Sequence, residues 1–119
     1  MMVEQVDRQE SLLVAMSDKY MREILASTMV GGKSVEAISR EKSIPSSTCY
    51  RRVGELLALD LLRVEHTEIT EYGKKFMTYR STYENVRIDM SCNKLTIDVI
   101  ATPKLRQHLT IQTKRTYEP

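Results

Sequence analysis

SVEAISREKSIPSSTCYRRVGELLALDLLRV, residues 34–64, is the stretch on which the fold turns. Ser34 opens a short helix, because a serine hydroxyl at a helix start accepts from a first-turn N–H. Val35 and Ile38 face inward, and Ala37 is small enough for close helix contact. Residues 42–46, Lys-Ser-Ile-Pro-Ser, read as a turn. Pro45 disfavours helical backbone at Ile44 and pre-sets the next helix start. A further helix is expected over residues 46–59. Cys49, Val53, Leu56 and Leu57 share its apolar face, with Ser47, Tyr50, Arg51 and Gly54 on or near the other.

Towards the N-terminus, Tyr20, Met21, Ile24, Leu25 and Thr28 recur at helical spacing. The spacing predicts a helix over 19–30, capped by Ser17 or Asp18 and stopped by Gly31 and Gly32. Residues 3–16 begin polar, yet Leu12, Leu13 and Met16 are spaced for one helical face. Residues 1–17 are therefore an arm or a helix, and a candidate dimer contact. Towards the C-terminus the period changes from helical to alternating. LLRVEHTEIT (61–70) and KKFMTYRSTY (74–83) flank the turn signal Glu71-Tyr72-Gly73, which predicts a hairpin with its tip at 71–74. Phe76 and Thr78 fall on one of its faces. VRIDM (86–90) and LTIDVIA (95–101) flank Ser-Cys-Asn-Lys as a second hairpin, and HLTIQTK (108–114) alternates as a further strand. Residues 117–119 read as a loose end.

The order is helix, short helix, tight turn, helix, hairpin. Two short helices joined by a few residues make a helix-turn-helix, and a hairpin directly after the last helix is a wing. The predicted class is α+β: a three-helix core with a β-hairpin wing over residues 18–83, then a C-terminal β extension and tail over 84–119. Such a helix fits a major groove about 12 Å wide. Its N-terminal end carries unpaired N–H groups suited to phosphate, and short Ser and Thr side chains there admit a close backbone.

Composition agrees with one modest domain. The chain has 119 residues, 41% hydrophobic and 29% charged. Area scaling buries about two-thirds of the extended surface, enough for a single core and too little for two domains with a cleft between them. No apolar run approaches the roughly 20 residues of a membrane span. The start, MMVEQVDRQE, has no signal-peptide core. A cytoplasmic protein is expected. The net charge is only +2 and drifts weakly from acidic to basic along the chain, so any basic patch must arise by folding.

Residues 34–64, with I-P-x-S-T-x-Y-R-R-V-x-x-L and the Leu-Leu strand entry, resemble the helix-turn-helix of ArsR-like winged-helix transcriptional regulators. TEYGKKFMTYRSTYENVRI resembles the wing and following strands of the small archaeal members. The resemblance covers about residues 10–100. It implies that helix 46–58 is the recognition helix, that the chain acts as a homodimer on double-stranded DNA, and that Ser46, Ser47, Thr48, Tyr50, Arg51 and Arg52 occupy DNA-contacting positions. Metal-sensing members carry paired cysteines on this helix. Only Cys49 stands here, on the apolar face, so no metal or other cofactor is expected.

Lys74 and Lys75 sit near the hairpin tip, where they either contact a DNA backbone or keep the hairpin soluble. Arg51 and Arg52 either read DNA or pair with Glu55 three or four positions on. Cys49 reads as a small core residue and Cys92 as an exposed turn residue, both reduced. His66 and His108 show no ligand spacing. Gly31-Gly32-Lys33-Ser34 echoes the end of a P-loop, but it lacks the first glycine and follows a helix. No catalytic arrangement is placed. The expected function is sequence-specific DNA binding in transcription regulation. The alternative is a winged-helix protein–protein module in transcription or replication machinery.

Overall fold

In the computed structural model the chain is α+β, and the structure describes residues 2–103 and 112–117. Among the described residues four helices, α1 (Met2–Ser17), α2 (Lys19–Ser27), α3 (Val35–Lys42) and α4 (Ser46–Ala58), precede five strands. These are β1 (Leu62–Ile69), β2 (Lys75–Ser81), β3 (Tyr83–Ser91), β4 (Lys94–Ala101) and β5 (Gln112–Tyr117). The part of the expected strand 108–114 before residue 112, like the last two residues of the tail, lies outside the described residues.

Each helix end has a local cause. Asp18 caps α2 by accepting from the Met21 N–H at 2.9 Å, and Ser34 caps α3 by accepting from Ala37 at 3.1 Å. Ser43 closes α3 in the left-handed conformation, with Ile44 N–H donating back to Ser39 O. After α4 the chain turns left-handed at Asp60. The Asp60 and Leu61 N–H groups donate to Leu57 and Leu56 carbonyls, the Schellman pattern, with Leu61 and Leu56 buried.

One helix end departs from the sequence expectation. The helix expected to reach Val30 stops at Ser27, before the glycines. Thr28 is buried, its hydroxyl donates back to the Ile24 carbonyl at 2.9 Å, and its own carbonyl accepts from Ser81 N–H at 3.1 Å. That strand contact competes with a further helical turn. Neither Gly31 nor Gly32 takes a positive φ. Gly32 is needed for space instead: a Cβ there would overlap the Glu65 carboxylate.

Leu12 and Ala15 from α1, Ile24 and Leu25 from α2, Val35 and Ile38 from α3, and Cys49, Val53 and Leu56 from α4 form one core with Leu61, Leu62, Tyr83, Ile97 and Val99. Residues 3–16 thus resolve as helix. Of the stripe offered as a dimer contact, Leu12 is buried and Leu13 and Met16 are half-buried against this chain's own core.

The described strands form two antiparallel sheets. β1 and β2 make the first hairpin, which joins the helices through Lys33. That residue and Tyr79 exchange both backbone hydrogen bonds, at 3.0 and 2.8 Å. The later strands are those of the expected C-terminal β extension. They form a separate sheet, in the order β3-β4-β5. The break falls at Thr82, whose N–H and hydroxyl donate to the Leu61 and Asp60 carbonyls, anchoring the chain beneath the end of α4.

Candidate nucleic-acid interface

α4 is buried along one side and open along the other. Cys49, Val53 and Leu56 are in the core, while Ser46, Ser47, Tyr50, Arg51 and Gly54 are exposed and Thr48 is half-buried. A Cβ on Gly54 would meet nothing, so the outward face is clear at its centre. Pro45 stands at the N-cap and supplies no side-chain acceptor. The first-turn N–H groups of α4 therefore remain available to a ligand oxygen.

The two arginines diverge. Arg51 is exposed and makes no ion pair among the described residues. Arg52 is turned back across the helices. Its guanidinium reaches Asp18 at 3.1 Å and Glu55 at 2.9 Å, and its side chain is 24% exposed. The Arg52–Glu55 spacing is the i,i+3 pair weighed in the sequence. The Asp18 contact joins the start of α2 to α4 and carries no sequence signal, because the partners are 34 positions apart in different elements.

Lys74 and Lys75 are exposed at the tip of the β1–β2 hairpin with Glu71 and Tyr72. Gly73 takes φ 82°, and Thr70 closes the turn by accepting Lys74 N–H on its hydroxyl at 3.0 Å. The tip lies on the α3 side of the molecule, where the Lys74 charge is felt at Glu36.

Glu36 is the residue that sequence reasoning missed. It stands in the first turn of α3 and accepts a hydrogen bond from the Tyr50 hydroxyl. That bond, then its own backbone N–H, then the Lys74 and Arg40 charges hold its carboxyl below the usual range. The same bond, with slight burial, raises the Tyr50 phenol. Tyr50 is half exposed and is held along the α3 side of the open face. A one-turn spacing in the sequence would have exposed such a pair. A separation of 14 residues across a tight turn does not.

The two cysteines differ in their surroundings. Burial, with a smaller contribution from Glu36, raises the Cys49 thiol, which favours the unreactive protonated form. Cys92 is exposed in the β3–β4 turn at φ 52°. Among the described residues no group of three His, Cys, Asp or Glu is placed to hold a metal ion. None of the described helices is long and apolar enough to cross a membrane. No family model matches the chain, and no curated protein or solved structure matches it.

Proposed function

We propose that this chain is a winged-helix DNA-binding transcriptional regulator, with α4 as the recognition helix and the β1–β2 hairpin as the wing. One observation carries the reading: an α4 face that is open from Ser46 to Gly54, small and polar at its start, with Arg51 unpaired among the described residues and a lysine-bearing hairpin tip on the neighbouring side. Ser46, Ser47 and the first-turn N–H groups approach phosphate. Arg51 reaches base edges, and Tyr50 lies against the groove wall. Lys74 and Lys75 add backbone contacts, which supply affinity and register without sequence information.

The Lys33–Tyr79 bridge supports the reading independently. It supplies the short third edge that ties a wing to its helices. Arg52 belongs to the frame of this site, and its role is to position α4.

The test is fluorescence anisotropy with a random 30-base-pair duplex over a salt series. The wild type should bind with an affinity that falls steeply with salt. Arg51→Ala should weaken binding, and Lys74→Ala, which removes a backbone contact, should flatten the salt slope by about one. On a selected operator the loss should be about 1–3 kcal/mol if Arg51 makes a bidentate base contact. Absence of salt-dependent binding at micromolar protein would defeat the reading. It would favour the protein-interaction alternative, for which the exposed Ile69, Tyr72 and Met77 of the hairpin offer an apolar surface.

A further inference from the structure

The second sheet ends, among the described residues, on an open edge. Its order is β3-β4-β5, so β3 pairs on one side only. An unpaired edge strand is a template for another strand and is ordinarily blunted by charge, proline, a bulge, a short length or a covering element. β3 is nine residues long and has neither proline nor lysine; its one register irregularity lies at its start, between Tyr83 and Asn85, and its charges are Glu84, Arg87 and Asp89. From Val86 onward its alternation is regular: Val86, Ile88 and Met90 share the face of Ile97 and Val99, while Arg87 and Asp89 point the other way. Burial fades along that apolar face. Val86 is half-buried beside α2, Ile88 is 38% exposed and Met90 is 77% exposed. Arg87 and Asp89 are exposed and make no ion pair among the described residues.

We infer that β3 pairs antiparallel with β3 of a second copy, about a two-fold axis at Ile88, joining two three-stranded sheets into one of six. The strand sequence is charge-complementary to itself in that register. Val86-Arg87-Ile88-Asp89-Met90 turned on its centre sets Arg87 opposite Asp89 of the second copy, and Asp89 opposite its Arg87. Ile88 meets Ile88, and each Val86 meets a Met90. Side chains directly opposite in an antiparallel pair lie about 4.5–5.5 Å apart at Cβ, close enough for both charge pairs.

Neighbouring registers fail. A slip of one residue sets the apolar face of one copy beside the charged face of the other. A slip of two centres the axis on Arg87 or Asp89 and opposes like charges. The two-fold contact is closed, as an isologous interface requires. It covers Ile88 and Met90, the exposed apolar groups of this strand. It involves none of α4 or the β1–β2 hairpin, so it stands or falls apart from the DNA reading.

Sedimentation of the full chain, under reductant because Cys92 is exposed, tests the assignment. The wild type should show a monomer–dimer equilibrium. Arg87→Asp and Asp89→Arg should each weaken it about tenfold or more, because both contacts become repulsive. The double variant Arg87→Asp/Asp89→Arg should restore wild-type association. An equimolar mixture of the two single variants should associate more tightly than either alone, because each supplies the charge the other lacks. Far-UV circular dichroism verifies folding of these exposed-site variants. A wild type that stays monomeric to several hundred micromolar overturns the assignment. So does a dimer indifferent to the single reversals, or one rescued by neither the double variant nor the mixture.

Discussion

Arg52→Ala should lower stability and leave the DNA salt slope intact, which separates a framing arginine from a contacting one. Arg52 joins Asp18 at 3.1 Å and Glu55 at 2.9 Å and is 24% exposed, so both ion pairs are partly desolvated. Exposed pairs contribute about 0.2–1 kcal/mol each, and partial burial places these two towards the upper end. Loss of the aliphatic stem, which lies along the cleft lined by Met21, Ala58 and Leu59, adds about 0.5 kcal/mol. The sum is about 1.5–2.5 kcal/mol. Part of it acts through Asp18, whose other oxygen caps α2 at Met21. In a domain of this size each kcal/mol moves the midpoint by about 3–5 °C, so the melt should fall by about 5–12 °C. Arg51→Ala, with no ion pair to lose among the described residues, should melt within about 0.5 kcal/mol of wild type. Thermal denaturation by circular dichroism measures this, and anisotropy at 25 °C compares binding where both variants are folded. An Arg52→Ala protein that melts like wild type and loses DNA affinity tenfold would refute the division of roles.

The two adjacent glycines should respond oppositely to alanine. Gly32→Ala forces the Glu65 carboxylate aside, and Glu65 is held at 3.0 Å by Arg80 with both side chains largely buried, so urea denaturation should register a loss of about 1–2 kcal/mol. Gly31→Ala meets nothing and has no positive φ, so it should be neutral or stabilise by up to about 1 kcal/mol; a larger loss there than at Gly32 would sink the steric account. Glu36→Gln removes a negative charge beside Tyr50 and should tighten DNA binding several-fold at about 50 mM salt, less at 200 mM; an unchanged affinity would remove Glu36 from the interface. The lowered folded pKa of Glu36 means its ionised form stabilises the fold above the ordinary carboxylate value. That contribution is lost as pH falls through the lowered value, so acid titration of Glu36→Gln should lack this component.

Elements with strong local signals were legible. Asp18, Ser34 and Pro45 mark helix starts within a residue or two, and the period change at Leu61 marks the first strand. The glycine pair misled because a helix can end for a tertiary reason: Thr28 gives its carbonyl to Ser81, 53 residues away, and no local pattern encodes that. The separation of the strands into two sheets was hidden likewise. Alternation tells which side chains share a face, and it does not tell which strand lies beside which. The break depends on Thr82 bonding to the end of α4.

For the candidate site, sequence pattern located the open face of α4 and the hairpin tip, and it treated adjacent arginines as equivalent. On a helix, neighbours in sequence point about 100° apart, so one faces outward and the next faces α2. The same reasoning resolves the near-neutral charge. A chain with 18 basic and 16 acidic side chains is, by composition, a poor ligand for a polyanion. Yet Asp18 and Glu55 are engaged by Arg52, Glu41 by Lys33, and Glu65 by Arg80. Glu36 is engaged by Tyr50. Arg40, Arg51, Lys74 and Lys75 stand outside these pairs on α3, α4 and the hairpin tip, with Glu71 the opposing charge at that tip. Folding thus pairs Asp18, Glu41, Glu55 and Glu65 with cations and leaves Arg51, Lys74 and Lys75 outside those pairs, while Glu36 keeps its negative charge beside Tyr50. This distribution of pairs, more than the total charge, is what the proposed contact of α4 and its hairpin with a phosphate backbone rests on.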